Sequence, residues 1–257
     1  MMISDDYTQR FSNIDFERRG GILAMRLHTN QDSLKWGAVA TSIHAQLGRA
    51  FYDVAHDPLL RVVILTGTGA SFCSEMDLSE LPAMNGMEWS RLAEEGRELM
   101  MNFLDIGIPV IAAVNGPAYI HAQLPVLADI VLAAEEGEFA DMAHFTAGVV
   151  PGDGAHTVWL DLLGANRGRY FLLTGQRLGA KEAQALGVVA EVLPRARLMD
   201  RAWALATELA AKPIITLRNT RSAFTHPLKR RLLDELSRGL ALEGLGMLTA
   251  IGDGNGP

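Results

Sequence analysis

One short apolar run constrains this chain more than any other stretch. Ile108-Pro-Val-Ile-Ala-Ala-Val114 stops at the turn signal Asn115-Gly116-Pro117, which marks it as a buried strand closed by a turn. A second buried strand is expected over Asp129–Ala134, and Pro151-Gly-Asp-Gly-Ala-His156 sets an acid in a tight turn. His121, His144 and Asp153 therefore fall near the ends of apolar segments, the arrangement of a site built on a rigid scaffold. The other elements fit around these strands. Ile14–Arg18 and Ile22–Leu27 read as a hairpin turning at Gly20-Gly21, behind a polar lead-in over residues 1–12. Val39, Ile43, Leu47, Phe51 and Val54 recur at helical spacing and predict a helix from Gly37 to His56, followed by a strand over Arg61–Thr66. Residues 88–105 predict another helix after a Met-rich stretch at 78–87, a connection that reads either as a lid or pocket wall or as an ordinary surface excursion.

Beyond Pro151 short helices are expected at 156–163 and 166–174, then a turn, short helix and glycine cap over 175–187, a strand over 188–192 and a helix over 198–211. Pro213 restarts a helix, residues 228–248 form the last one, and a Gly-rich tail follows that carries too little apolar surface to order. Strand–helix units with a helical end give an α/β fold, with a core over 1–195 and a helical region over 196–257.

Composition bounds the function. At 257 residues and 49% apolar the chain buries one large core, and a net charge of -7 without long blocks argues against nucleic-acid and anionic-membrane partners. One cysteine, Cys73, forms no internal disulfide and suits a cytoplasmic location. No apolar stretch is long enough to span a membrane. Zinc-type cysteine spacing and His-Glu-x-x-His are both absent, so neither a metal nor an organic cofactor is expected.

Several segments, in order, resemble the enoyl-CoA hydratase/isomerase (crotonase) superfamily. They are Val62-Val-Ile-Leu-Thr-Gly-Thr-Gly69 with Phe72 and Asp77-Leu78, Pro109–Ala118, Ala128–Ala134, Gly148–Gly152 and Leu173–Val189. The resemblance implies a crotonase-like spiral of β-β-α units with a C-terminal helical trimerisation region, assembled as a homotrimer or dimer of trimers. It also implies acyl-CoA chemistry, with a thioester oxygen between two backbone N–H groups. Here the second oxyanion turn reads Tyr119-Ile-His-Ala-Gln-Leu-Pro125 without glycine, and the two hydratase carboxylates fall near Gln123–Leu124 and His144. Trp36 after His28-Thr and Ser33-Leu, His121, His144-Phe, Pro151–His156 and Glu243 resemble instead the β-diketone hydrolase branch typified by 6-oxocamphor hydrolase, which breaks a carbon–carbon bond by water addition in a retro-Claisen reaction. That branch implies His144 with Asp153 preparing water, Trp36 with His121 holding a substrate carbonyl, and a small cyclic diketone as partner.

The side chains suit those roles. An imidazole titrates near neutrality and Asp153 would take the hydrogen bond of its other ring nitrogen, fixing the tautomer. His121 offers a donor where the backbone oxyanion turn is lost, and Trp36 offers an indole N–H with a broad apolar face. Glu243, on an otherwise apolar helix stretch, would position water or protonate the enolate. Phe72, Met76, Leu81, Met84 and Tyr119 are expected to line the pocket. His156 reads as structural, and His28, His44, His56 and His226 join no constellation. An acyl-CoA hydratase or isomerase is the alternative enzyme, with Lys35 its one hint of a phosphate contact. A scaffold that kept the fold without activity is the alternative outside catalysis.

Overall fold

The computed structural model describes residues 7–252. The chain opens with the hairpin β1 (Ile14–Arg19) and β2 (Ile22–Leu27), then β3 (Lys35–Trp36), α1 (Ile43–His56), β4 (Val62–Gly67), β5 (Glu75–Met76) and α2 (Gly86–Asp105). The middle carries β6 (Val110–Val114), β7 (Pro117–Ala118), α3 (Gln123–Val126), β8 (Ile130–Ala134) and β9 (Glu138–Phe139). Then come α4 (Ala155–Leu163), α5 (Ala165–Thr174), β10 (Leu178–Gly179), α6 (Ala180–Ala185), β11 (Glu191–Leu193), α7 (Arg195–Ala210) and α8 (Ile214–Gly252).

Six strands form one sheet in the order β1-β2-β4-β6-β8-β11, parallel except for the opening hairpin. Parallel strands need covered faces, and the period of two in β4 supplies them. Val63 and Leu65 join the main core beneath α1 and α2, whereas Val62 and Ile64 meet Leu198, Ala202 and Ala206 of α7. Two smaller sheets, β10-β9-β7 and β3-β5, extend from the ends of these strands. The result is the α/β crotonase-like repetition of β-β-α units with a C-terminal helical extension. No helix among the described residues is long and apolar enough to cross a membrane.

Differences from the sequence expectations have local causes. The helix expected from Gly37 begins at Ile43, because the N–H groups of Ala38 and Val39 both donate to the Glu80 carbonyl and clamp the 78–80 turn instead. The strand expected over 188–192 shifts to β11, since Val188 donates to Ala183 and closes α6. Tyr7 of the expected polar lead-in is buried and edges against Phe16, 5.8 Å away; residues 1–6 lie outside the described part.

Pro227 does not divide the last helix. It and Ala223, whose carbonyl loses its helical partner, are both exposed, so water can satisfy that oxygen. The helix is held on its other side by Leu232, Leu236 and Leu240 at four-residue spacing. It is also held by buried Arg221, which donates to the carbonyls of Phe103, Leu104 and Ile106 at the end of α2 and to Asp129, 2.8 Å away. The Gly-rich tail beyond residue 252 lies outside the described residues.

Candidate active site

A cavity of about 540 Å³ opens between α2, the 76–84 segment, the 142–153 segment and the end of α8. Its walls are mostly apolar, with Met76, Leu81, Met84, Leu92, Met100 and Met247 among them. The polar groups converge at one end. Trp36, at the end of β3, packs its ring against His121 with centroids 4.2 Å apart, and the His121 ring stands edge-on to His144 at 5.7 Å.

Local backbone explains how each side chain arrives. His121 has φ +49°, a left-handed conformation that is unfavourable for a side-chain-bearing residue. It lies where the resemblance predicted a glycine turn. The N–H groups of Tyr119 and Ile120 are both spent on the Cys73 carbonyl, so polar groups at this end come from side chains. Asp153 sits between Gly152 and Gly154, the latter at φ +100°. A Cβ on Gly152 would collide with the Gly239 carbonyl of α8, and that close approach lays Glu243, one turn further on, over Asp153.

Asp153 is the hub. Its Oδ2 lies 2.9 Å from His121 Nδ1 and accepts from Gln123 Nε2 at 2.6 Å. Its Oδ1 accepts from the Ala155 N–H at 3.1 Å and lies 3.4 Å from His144 Nε2. Glu243 Oε1 lies 3.9 Å from the same nitrogen, while Glu243 Oε2 is buried with no hydrogen-bond partner.

The structure corrects the expected geometry of the histidine–acid pair. Asp153 faces Nε2 of His144, on the cavity side; the other ring nitrogen, Nδ1, lies 2.6 Å from Oδ1 of fully buried Asp141. Asp141 therefore braces the ring at Nδ1, the position the sequence had given to Asp153. Asp141 escaped sequence reading because its neighbours Ala140 and Met142 hide it in an apolar context. The available signal was the Asp-x-x-His spacing that ends at His144. Gln123 was also missed: unable to exchange a proton, it donates to the acid instead.

The expected lining residues divide. Met76, Leu81 and Met84 face the cavity. Phe72 does not: it is a core side chain beneath the Gly67 turn, where its Cα crowds the space of any Cβ. Tyr119 does not either, since its hydroxyl is tied to Glu138 and the Arg177 guanidinium covers its ring at 4.6 Å. His44, read as idle, lines the cavity with Nδ1 3.1 Å from Glu95. His156 holds the Pro151 carbonyl at 2.7 Å, a structural role as expected. Lys35 is paired with Glu75 at 3.0 Å.

Burial and mutual charge set the protonation states. Burial opposes charge on His144, but Asp153 and Asp141 outweigh it and raise its pKa well above the ordinary 6.5. Asp153, although buried, is held well below the usual carboxylate range by His144 and His121. Burial pushes the His121 pKa down despite Asp153, so this imidazole is neutral near pH 7. Burial, then Asp153, push Glu243 up to about 8 against the pull of His144.

The fold and this centre define a crotonase-like protein whose oxyanion turn is occupied by a histidine–carboxylate cluster. The enoyl-CoA hydratase/isomerase family model matches residues 17–242, and the chain belongs to that family. Carnitinyl-CoA dehydratase of Shigella flexneri is 31% identical over 198 residues, 77% of this chain and 74% of that relative. Among solved structures, a beta-diketone hydrolase from the cyanobacterium Anabaena sp. PCC 7120, bound to (S)-3-oxocyclohexyl acetic acid, is 43% identical. It covers 97% of this chain and 100% of that one, with a TM-score of 0.91. An enoyl-CoA hydratase/isomerase from Mycobacterium paratuberculosis is 26% identical, covering 92% and 94%, with a TM-score of 0.85.

Proposed function

We propose that this protein hydrolyses a carbon–carbon bond of a cyclic 1,3-diketone, adding water to one carbonyl and releasing a keto acid. The observation that carries the reading is Asp153, held between two imidazoles at the polar end of an apolar cavity. The similarity to a beta-diketone hydrolase supports it. Water's oxygen bonds to one carbonyl carbon; the tetrahedral adduct then breaks its bond to the central carbon, which leaves as the enolate of the other ketone and takes a proton. Water and diketone together account for every atom of the product, so no organic cofactor is implied.

In this reading Asp141 anchors Nδ1 of His144, whose Nε2, once it has lost its proton, takes water's proton while Asp153 stabilises the imidazolium that forms. Trp36 and His121 hold the carbonyl that becomes an enolate, and Glu243, neutral below about pH 8, returns a proton to carbon. The test is turnover of a bicyclic or monocyclic 1,3-diketone, followed by loss of substrate and appearance of acid. His144→Ala and Asp153→Asn should each lower kcat by about a hundredfold or more; near-normal rates in folded variants would remove the assignment.

A second reading of the base is favoured by one observation. His121 is kept neutral by burial and meets Asp153 through Nδ1, so it is ready to accept a proton while charged His144 polarises the carbonyl. The alternative activity on acyl-CoA thioesters gains little support from Lys35, whose charge Glu75 already engages. Assembly as a homotrimer or dimer of trimers through the region 196–257 belongs to the same proposal. The exposed Phe224, Leu233, Leu242 and Leu245 of α8 support it. A cytoplasmic location is supported by the single, buried Cys73.

A further inference from the structure

The same end of the cavity holds more ligating atoms than water activation requires. His121, His144 and Asp153 each offer one atom within 4.8 Å of the other two, and Glu243 Oε1 adds another at 3.9 Å from His144 Nε2. Tetrahedral zinc with bonds of about 2.1 Å places its ligands roughly 3.4 Å apart. His144 Nε2 and Asp153 Oδ1 stand at 3.4 Å already, and Glu243 Oε1 needs a shift of about half an ångström to reach that spacing from His144.

Two further observations point to a cation. Glu243, nine-tenths buried, presents Oε2 without any hydrogen-bond partner, an orphaned acceptor that a bound cation would satisfy. Asp141 backs Nδ1 of His144 at 2.6 Å, the carboxylate–histidine support that orients metal-bound imidazoles. Three carboxylates, Asp141, Asp153 and Glu243, gather here, and no Lys or Arg lines the cavity among the described residues.

We propose that His121, His144 and Asp153, with Glu243 as a fourth ligand, form a binding site for a divalent transition cation of the zinc type that competes with substrate. Imidazole nitrogens select zinc or cobalt over magnesium, which prefers an all-oxygen octahedron. The cation displaces the protons held by His144 Nε2 and Glu243, which leave to solvent, and takes the Asp153 oxygen, so it occupies the place of the attacking water and stops hydrolysis. The inhibition rests on the function proposed above; the binding does not.

The test is isothermal titration of chelator-treated protein with zinc chloride and, separately, magnesium chloride, with melting temperatures recorded alongside. One zinc per chain should bind and raise the melting temperature; magnesium at the same concentration should do neither. Cobalt chloride should give the visible absorption of a tetrahedral nitrogen–oxygen site. Glu243→Gln and Asp141→Asn should each weaken zinc binding by about tenfold or more, and added zinc should abolish diketone turnover until a chelator is supplied. Absence of zinc binding to the wild-type protein would overturn the proposal. So would binding undiminished in both variants, which would place the metal on surface histidines. Zinc binding in a protein that cleaves no diketone would leave the site standing and remove the function proposed above.

Discussion

Asp141 and Glu243 show how much a single buried carboxylate sets in this site. Asp141 lies 2.6 Å from His144 Nδ1 and helps hold a proton on that ring at neutral pH. If His144 is the base it must lose this proton, so kcat/KM should climb with pH to a midpoint well above 6.5. Asp141→Asn should move that midpoint toward lower pH while lowering the plateau. A midpoint below 6.5 in the wild type, unmoved in Asp141→Asn, would transfer the base role to His121. Glu243 gives a stability prediction. Its folded pKa, about 8, exceeds its ordinary 4.5, so its contribution falls as pH rises from about 4.5 through 8. His144, also raised, adds a contribution present below about 6.5 and lost as pH rises through its folded value. Asp153 and His121 act at the other end, losing stability as pH falls. Glu243→Gln should therefore melt higher than wild type at pH 9 by an amount that shrinks toward pH 5, on the order of a few kcal/mol between the two. Equal melting differences at both pH values would show that Glu243 is not held in its neutral form.

At the scale of elements, the site depends on α8 touching the Asp153 turn backbone to backbone. A Cβ on Gly239 would meet the Gly152 carbonyl and the His156 ring. Gly239→Ala should push α8 outward, carrying Glu243 and Leu240 with it. The expected result is a fall in kcat of about tenfold or more, since ångström-scale misplacement is costly, together with a lower melting temperature. Unchanged kcat would mean that α8 does not position the chemistry. The same contact explains why the site was only partly legible in sequence. Strands β4, β6 and β8 were readable because each is a local apolar run, and α2 because its pattern is periodic over five turns. The two-residue strands β3 and β5 were not, because they exist only as partners of one another across the fold. Pro227 gave a break signal that exposure made harmless. Phe72 and Tyr119 sit in motif segments, but the turn that carries them points one into the core and ties the other to Glu138 and Arg177.

In the whole molecule, a largely parallel sheet covered on both faces supplies the rigidity, and the site is assembled beyond its strand ends from four separate stretches of chain. Trp36, His121, the 141–153 segment and Glu243 are far apart in sequence, and resemblance to known residue patterns brought most of them together before geometry did. Asp141 and Gln123 had no such pattern; only the folded chain shows that they brace His144 and Asp153. Everything mechanistic turns on whether this assembly adds water across a carbon–carbon bond. The most direct measurement is mass spectrometry of the product formed from a cyclic 1,3-diketone in oxygen-18-labelled water. The expected product is a ring-opened keto acid carrying one labelled oxygen in its new carboxylate, formed by the wild type and not by His144→Ala. Unlabelled acid, or no acid at all from a panel of cyclic diketones, would contradict it.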